Sequence, residues 1–438
     1  MTSSPRRTTE LGLLVLGAFI TVGAYVLASL GRTASLPANV VPFLVIVLGL
    51  FGLAHMALRW VAPQADPMLL PLAGLLNGLG YVMVARLDQK LAGLQALWTA
   101  VGVAGFVATI VVIRRVTDLE RYRYTFALGG IGLLLMPLAP GIGRTINGSR
   151  LWVRMGTLTF QPGELAKIAL AIFFASYLVE RRDVLGDFKL RLGELPKPRY
   201  LAPILLAWAA SLVVMVAEKD LGSSLLFFAL FVVMLWVATG RPFYLGTGGV
   251  LFLLGSFMSY QAFAHVRERV TVWLDPWSGT RASSSGYQVV QALFALGTGG
   301  VTGVGLGLGS PQKIPAATTD MIYAAFGEEL GLLGTMAILV AFLLMVGAGL
   351  RIASRTERPF EQLLATGLTV ILGVQTFIIV GGVLRVVPLT GVTLPFVSYG
   401  GSSLLGSYIL LALLLRISHD SNARLQREAD DAAVAGAR

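Results

Sequence analysis

Twelve apolar stretches, each close to the length of a bilayer-crossing helix, recur along the chain, and no other property restricts its fold so tightly. They cover roughly residues 11–30, 40–60, 68–84, 94–113, 124–140, 164–180, 200–217, 221–239, 244–262, 321–350, 362–384 and 398–416. About 20 apolar residues cross the hydrocarbon core of a bilayer. A backbone at that depth must satisfy its own hydrogen bonds, which a helix does within a single segment. The predicted fold class is therefore an all-α polytopic membrane protein. Composition agrees, since the 438 residues are 55% hydrophobic and only 13% charged, against about 25% charged in soluble domains. This balance excludes an ordinary cytosolic enzyme, a disordered chain and a nucleic-acid binder. Arg6 and Arg7 precede the first stretch as they would in a signal peptide. Its apolar region is too long and further spans follow, so it reads as a retained anchor.

Basic residues collect in cytoplasmic loops, which gives the map an orientation. With the N-terminus inside, the cytoplasmic segments carry about twice as many Lys and Arg as the outer ones, among them Arg114, Arg115, Arg181, Arg182, Arg351 and Arg355. The expected location is the cytoplasmic membrane, multi-pass, with both termini cytoplasmic. The net charge of +11 then reads first as topology. Segments 141–163, 218–220, 263–320 and 385–397 fall outside. The third is long, and long loops in a compact protein are usually functional. Residues 1–67 read as an N-terminal tail with two spans, 68–416 as the transmembrane core with outer loop 263–320, and 417–438 as a polar, disordered cytoplasmic tail. The span 321–350 is long enough to be tilted, or broken near Gly331 and Gly334. The chain has no cysteine, so disulfides, thiolate metal sites and a cysteine nucleophile are excluded.

Charges inside or at the edge of spans are costly and mark candidate sites. Glu164 and Lys167 stand three apart, so on a helix they share a face and can pair. They line a cavity or tie two helices together. Glu218-Lys219-Asp220 enters the eighth span from outside, where it holds a site or marks the interface, with Lys219 snorkelling outward. The outer segment 141–163 carries Arg144, Asn147, Arg150, Trp152 and Arg154, against the positive-inside trend. Guanidinium groups bind phosphate bidentately, so an anionic headgroup or diphosphate is the expected ligand, with a solvated loop as the plainer reading. Arg267, Arg269 and Lys313 add charge on the same side. The glycine-rich run from Gly299 to Gly309 lacks the Lys of a phosphate loop and reads as a flexible or re-entrant loop. Asp320 heads the tenth span, with Glu328 and Glu329 beyond it, and suits a general base or a helix cap. His55, His265 and His419 are too scattered to form a metal site.

Taken together, these segments resemble the SEDS family, the RodA- and FtsW-type membrane glycosyltransferases of bacterial cell-wall synthesis. The resemblance covers roughly residues 70–416. It is carried by Asn147-Gly148-Ser149-Arg150-Leu151-Trp152, Gln161-Pro162-Gly163-Glu164-Leu165-Ala166-Lys167, Asp220-Leu221-Gly222, Gly286-Tyr287-Gln288 with Gln291, Thr319-Asp320-Met321-Ile322-Tyr323-Ala324, Gly327-Glu328-Glu329-Leu330-Gly331, and Leu394-Pro395-Phe396-Val397-Ser398-Tyr399-Gly400-Gly401. It implies a SEDS-type ten-helix core with about two extra N-terminal transmembrane helices and a large extracytoplasmic loop before the tenth span. The extended, Ala-, Gly- and Arg-rich N-terminus resembles that of actinobacterial RodA-type members.

The implied activity is polymerisation of lipid II into glycan strands outside the membrane, for cell elongation or division. A class B penicillin-binding protein, a transpeptidase, would be the partner, with other cell-wall elongation or division proteins. A divalent cation, Mg or Mn, is the implied cofactor, and no organic cofactor is expected. Asp320 is the implied catalytic residue. Substrate-binding roles fall to Arg150, Arg154, Glu164, Lys167, Asp220, Gln288, Gln291 and Ser398. The chain departs from the family where Thr318 replaces the usual His, Ala316 the usual Glu, and Glu218-Lys219 the usual Gln-Pro. A lipid II flippase and a non-catalytic scaffold for the penicillin-binding protein are the alternative functions.

Overall fold

The computed structural model describes residues 5–35, 40–146, 149–155, 158–186 and 198–436. Fourteen helices and a small sheet follow one another: α1 (Pro5–Thr33), α2 (Val40–Val61), α3 (Leu69–Leu87), α4 (Gln89–Val112), α5 (Arg123–Leu135), strands β1 (Gly143–Ile146), β2 (Ser149–Met155) and β3 (Leu158–Phe160), α6 (Gly163–Gly186), α7 (Pro198–Glu218), α8 (Leu221–Thr239), α9 (Phe243–Ala262), α10 (Ala264–Leu274), α11 (Tyr287–Gly299), α12 (Ile322–Arg355), α13 (Pro359–Val383) and α14 (Gly401–Gly436). All twelve apolar stretches fall on helices. Among the described residues nine helices are long and apolar enough to cross a membrane, and Val45–Val61 is a shorter apolar one. The protein is a multi-pass membrane protein.

The chain forms two compact units. The first comprises 1–118, 294–365 and 394–438; the second comprises 119–293 and 366–393.

In the first unit α1 packs on α3, α3 on α4 and α12, and α4 along α14. Helices approach closely in a bilayer where small residues remove side-chain bulk. The α4–α14 seam follows this rule, with Gly102 against the Tyr408 ring and Gly401 against the Trp98 indole. Tyr408 also meets Phe396 edge-on at 5.4 Å. In the second unit α6 packs on α5 and α8, and α8 on α7 and α9. Its centre is Leu134, Ala166, Leu170 and Phe227, with Phe174 against Phe231 at 5.0 Å. Trp208 of α7 donates from Nε1 to Leu251 O of α9 at 2.9 Å.

Four expectations change. The segment 141–163 is not a plain loop, because β1, β2 and β3 form an antiparallel sheet in that order. The segment 263–320, read as one long loop, contains α10 and α11. The tail after 417, read as disordered, continues α14 to Gly436. Arg416 and Asp420 pair one turn apart at 3.3 Å, Asn422 donates to Gln64 O at 2.9 Å, and Arg424 pairs with Glu361, so the helix is anchored well past its apolar stretch.

The fourth change concerns the glycine-rich run. α12 breaks at Gly331 (φ 66°, ψ −165°), which frees backbone groups that must find partners. The run supplies them: Val304 N and Gly305 N donate to Glu328 O and Glu329 O, both at 3.0 Å, while Leu332 N and Leu333 N donate to Gly300 O and Val301 O at 2.9 and 3.1 Å. The positive φ values at Gly300, Gly303, Gly305 and Gly307 shape the run to fit the break. Glycine here serves a fixed backbone path rather than flexibility.

Candidate functional site

In the first unit Asp320 ends a tight turn directly before α12. Thr319 N and Met321 N donate to Ala316 O at 3.0 and 3.1 Å, with Ala316 in the left-handed region at φ 56°. The segment 394–399 braces this turn. Tyr399 N donates to Thr318 O at 2.8 Å, and the Ser398 hydroxyl donates to Thr319 O at 2.7 Å while accepting from Leu394 N at 3.0 Å. Ser398 is buried, and Asp320 is half-buried. The N-cap position of α12 is Met321, with no side-chain cap bond, so Asp320 lies one residue outside the capping position. Converting the Ser398 hydroxyl to hydrogen removes both of its bonds. We expect Ser398→Ala to lower both turnover and melting temperature, because the brace under Asp320 is lost and the buried Leu394 N–H loses its acceptor, a loss of about 1–3 kcal/mol.

The base of the same segment is also pinned. Ser310 N donates to Glu328 Oε1 at 2.7 Å, and Gly307 N donates to Glu329 Oε2 at 3.0 Å. Arg86 lies 3.1 Å from Glu329 Oε1 as an ionic contact and donates to Gly309 O at 2.9 Å. Sequence reading singles out the two glutamates but misses Arg86, whose partners are more than 200 residues away in the chain.

In the second unit Lys167 and Glu164 form an ion pair at 2.8 Å, both side chains almost completely buried. Lys167 Nζ also donates to Gln375 Oε1 at 2.8 Å, and Gln375 Nε2 donates to Thr393 O at 2.9 Å. Sequence reading misses Gln375 as well. Its signal is an amide in the middle of an apolar span, a group that needs a buried partner.

Asp220 caps α8, with Oδ1 accepting from Gly222 N at 2.9 Å and Oδ2 from the Ser223 hydroxyl at 2.5 Å. Burial pushes its carboxyl pKa up, against these bonds and the nearby Arg269, which pull it down. Arg269 of α10 is held by Thr390 O at 2.7 Å and Leu389 O at 3.2 Å. Lys219 is exposed between buried Glu218 and Asp220, with left-handed backbone at φ 56°. His265 has its pKa lowered by burial first and then by Arg269 and Lys219, which marks a cationic neighbourhood.

The sheet orders the arginines. Residues two apart on a regular strand share a face, so Trp152 and Arg154 line one face of β2, while the register against β1 shifts between Trp152 and Ser149, where Arg150 lies. Arg144 of β1 stands directly opposite Trp152 and joins them. Arg150 also donates to Ala139 O at 3.2 Å, and Arg154 is exposed. Asn147 lies outside the described residues. Gln288 and Gln291 stand three apart on α11, and both are half-buried. Among the described residues no three His, Asp or Glu side chains gather closely enough to hold a metal ion.

The many helices long and apolar enough to cross a membrane define the class of the protein, an integral membrane protein. The chain is a member of the FtsW, RodA and SpoVE family of cell cycle proteins, whose family model matches residues 69–423. The peptidoglycan glycosyltransferase RodA of Mycobacterium tuberculosis is 46% identical over 434 residues, covering 96% of this chain and 92% of that protein. The probable peptidoglycan glycosyltransferase FtsW of Geobacter sulfurreducens is 36% identical over 301 residues, covering 68% of this chain and 78% of that protein. Among solved structures, a chain of a peptidoglycan synthase complex described as coordinating polymerization and crosslinking matches with TM-score 0.66 at 26% identity, covering 82% of this chain and 98% of that one. Thermus thermophilus rod shape determining protein RodA matches with TM-score 0.59 at 25% identity, over 83% of this chain and 98% of that one.

Proposed function

We propose that the chain polymerises lipid II into glycan strands on the outer face of the cytoplasmic membrane, as a peptidoglycan glycosyltransferase of RodA type. The observation that carries this reading is the braced turn that holds a half-buried Asp320 at the head of α12. The reaction is an inverting transfer between two lipid-linked disaccharides. Asp320 takes the proton of the acceptor GlcNAc 4-hydroxyl. That oxygen bonds to the donor MurNAc anomeric carbon as the bond from carbon to diphosphate oxygen breaks, and undecaprenyl diphosphate leaves with the electron pair. Preorganised cations stabilise such developing charge, a role that suits Arg150 and Arg154 of the hairpin. Glu164, Lys167, Asp220, Gln288, Gln291 and Ser398 serve substrate binding in this reading, the first three through the buried polar sites they form.

A divalent cation, Mg or Mn, belongs to the reading in a form that needs no protein cage: Mg²⁺ keeps several waters and is bound through one or two carboxylates plus substrate phosphates. The partner is a class B penicillin-binding protein that cross-links the strands, within a larger set of elongation or division proteins. Purified protein given labelled lipid II tests the reading. Polymer supports it; movement of lipid II between leaflets without polymer would mean a flippase, and neither would mean a scaffold.

The proposed orientation keeps both termini in the cytoplasm. Because the chain has no cysteine, single cysteines report cleanly. A cysteine at Ser284 is expected to react with an impermeant thiol reagent on intact cells and one at Asp183 to stay unlabelled. Equal labelling of the two positions from outside overturns the orientation.

A further inference from the structure

α1 lies outside the stretch matched by the family model, yet its last turns are built into the segment that carries Asp320. We infer that the C-terminal end of α1 positions Asp320 for the transfer, with Gly31 as a positioning residue acting through the glycine-rich run. The inference rests on the reading of Asp320 as the base.

The contact is backbone against backbone. A Cβ on Gly31 would overlap Leu306 O, and a Cβ on Gly307 (φ 82°) would overlap Ala28 O and stand 3.0 Å from Arg32 N. Glycine on both sides is what lets two main chains come this close. The requirement is local, because a Cβ added at Gly12 or Gly23 on the same helix would meet nothing within 4 Å. Elsewhere α1 presents large apolar groups outward, with Phe19 75% and Leu16 56% exposed, as a lipid-facing helix does.

The contact continues toward Asp320. Arg32 donates to Arg86 O at 3.2 Å, and Arg86 grips Gly309 O and Glu329. Glu329 and Glu328 in turn fix Gly307 N and Ser310 N. Residues 307–329 thus leave and return to one pinned base, with Asp320 on the excursion between. The far part of the excursion is braced by Ser398 and Tyr399. Only the base depends on α1, so a bulky side chain at Gly31 should loosen the excursion without dismantling either helix.

The test is Gly31→Leu against Gly23→Leu as control, in the full chain with its transpeptidase partner. A misplacement of about 1 Å can cost about 10²-fold in rate, so Gly31→Leu is expected to lower kcat at least about 10-fold. KM for lipid II should stay unchanged. Hydrogen exchange over 303–320 should rise, and Gly23→Leu should behave as wild type in every measurement. Gly31→Ala, which favours the helix itself, and Arg32→Gln carry the same expectations in milder form and decide the matter if Gly31→Leu does not fold. Wild-type kcat and exchange in these variants would overturn the inference, as would an equal loss in Gly23→Leu, which would reduce α1 to an anchor. If the folded wild-type protein makes no polymer, the catalytic reading fails on its own. The exchange measurement still judges whether α1 holds the segment.

Discussion

Asp320→Asn is expected to lower lipid II polymerisation by about 10²–10⁴-fold, the usual contribution of a positioned general base. Asn keeps the size and one acceptor oxygen of Asp, but an NH2 donor replaces the basic oxygen and the negative charge is lost. The fold should survive, because the turn around position 320 is held by bonds that do not involve its side chain: Thr319 N and Met321 N to Ala316 O, Tyr399 N to Thr318 O, and the Ser398 hydroxyl to Thr319 O. Capping of α12 gives no reason for collapse either, since the N-cap falls on Met321. The measurement is polymer formed per folded enzyme, with melting temperature and capture of the partner transpeptidase as controls. Near-normal polymerisation by folded Asp320→Asn removes the residue from the mechanism. Loss of folding would instead show that the carboxylate holds the turn, contrary to its main-chain bracing.

The transmembrane helices are legible in the sequence because their length and apolarity answer to a constraint that acts on each segment separately. The hairpin at 143–160 is legible in principle. Leu151 and Val153 alternate with Arg150, Trp152 and Arg154, a period-two pattern of a half-buried strand. The arginines hide it, because they read as isolated charges before they read as part of a strand. The glycine run shows a different limit. A string of glycines is compatible with freedom and with an enforced positive φ, and only the break in α12 at Gly331, which frees carbonyls and amides, selects the second. The polar composition of the tail after 417 suggests disorder only so long as the partners it meets, Glu361 and Gln64, are out of view. The candidate site divides in the same way. Asp320, Glu164 and Lys167 stand out locally, as charges in apolar surroundings. Gln375, Arg86 and Arg269 acquire meaning only from contacts across long stretches of chain, which no local pattern encodes.

Lys167→Met is expected to be more damaging alone than together with Glu164→Gln. Both side chains are 6% exposed and meet at 2.8 Å, so neither charge has water to fall back on. Removing one partner of a buried pair costs about 3–5 kcal/mol, because the other is left uncompensated, while removing both charges restores neutrality. The Gln375 amide sharpens the expectation. In the single variant its Oε1 loses the Lys167 donor beside a Glu164 carboxylate stripped of its counter-ion. In the double variant a Gln at 164 can donate where Lys167 did, and Gln375 keeps its bond to Thr393 O. Glu164→Gln alone should cost less than Lys167→Met, because it leaves an ammonium group that still has Gln375 to donate to. The four proteins form a double-mutant cycle, measured as unfolding free energy in detergent and as polymerisation rate. Residues in contact couple by about 0.5–3 kcal/mol, and the upper part of that range, about 2–3 kcal/mol, is expected here. Additive losses would mean that the pair carries no shared energy, and the buried charges would then have to be assigned separate roles. If stability is coupled but polymerisation falls equally in all three variants, the pair's charge, and not just its packing, is needed by the substrate.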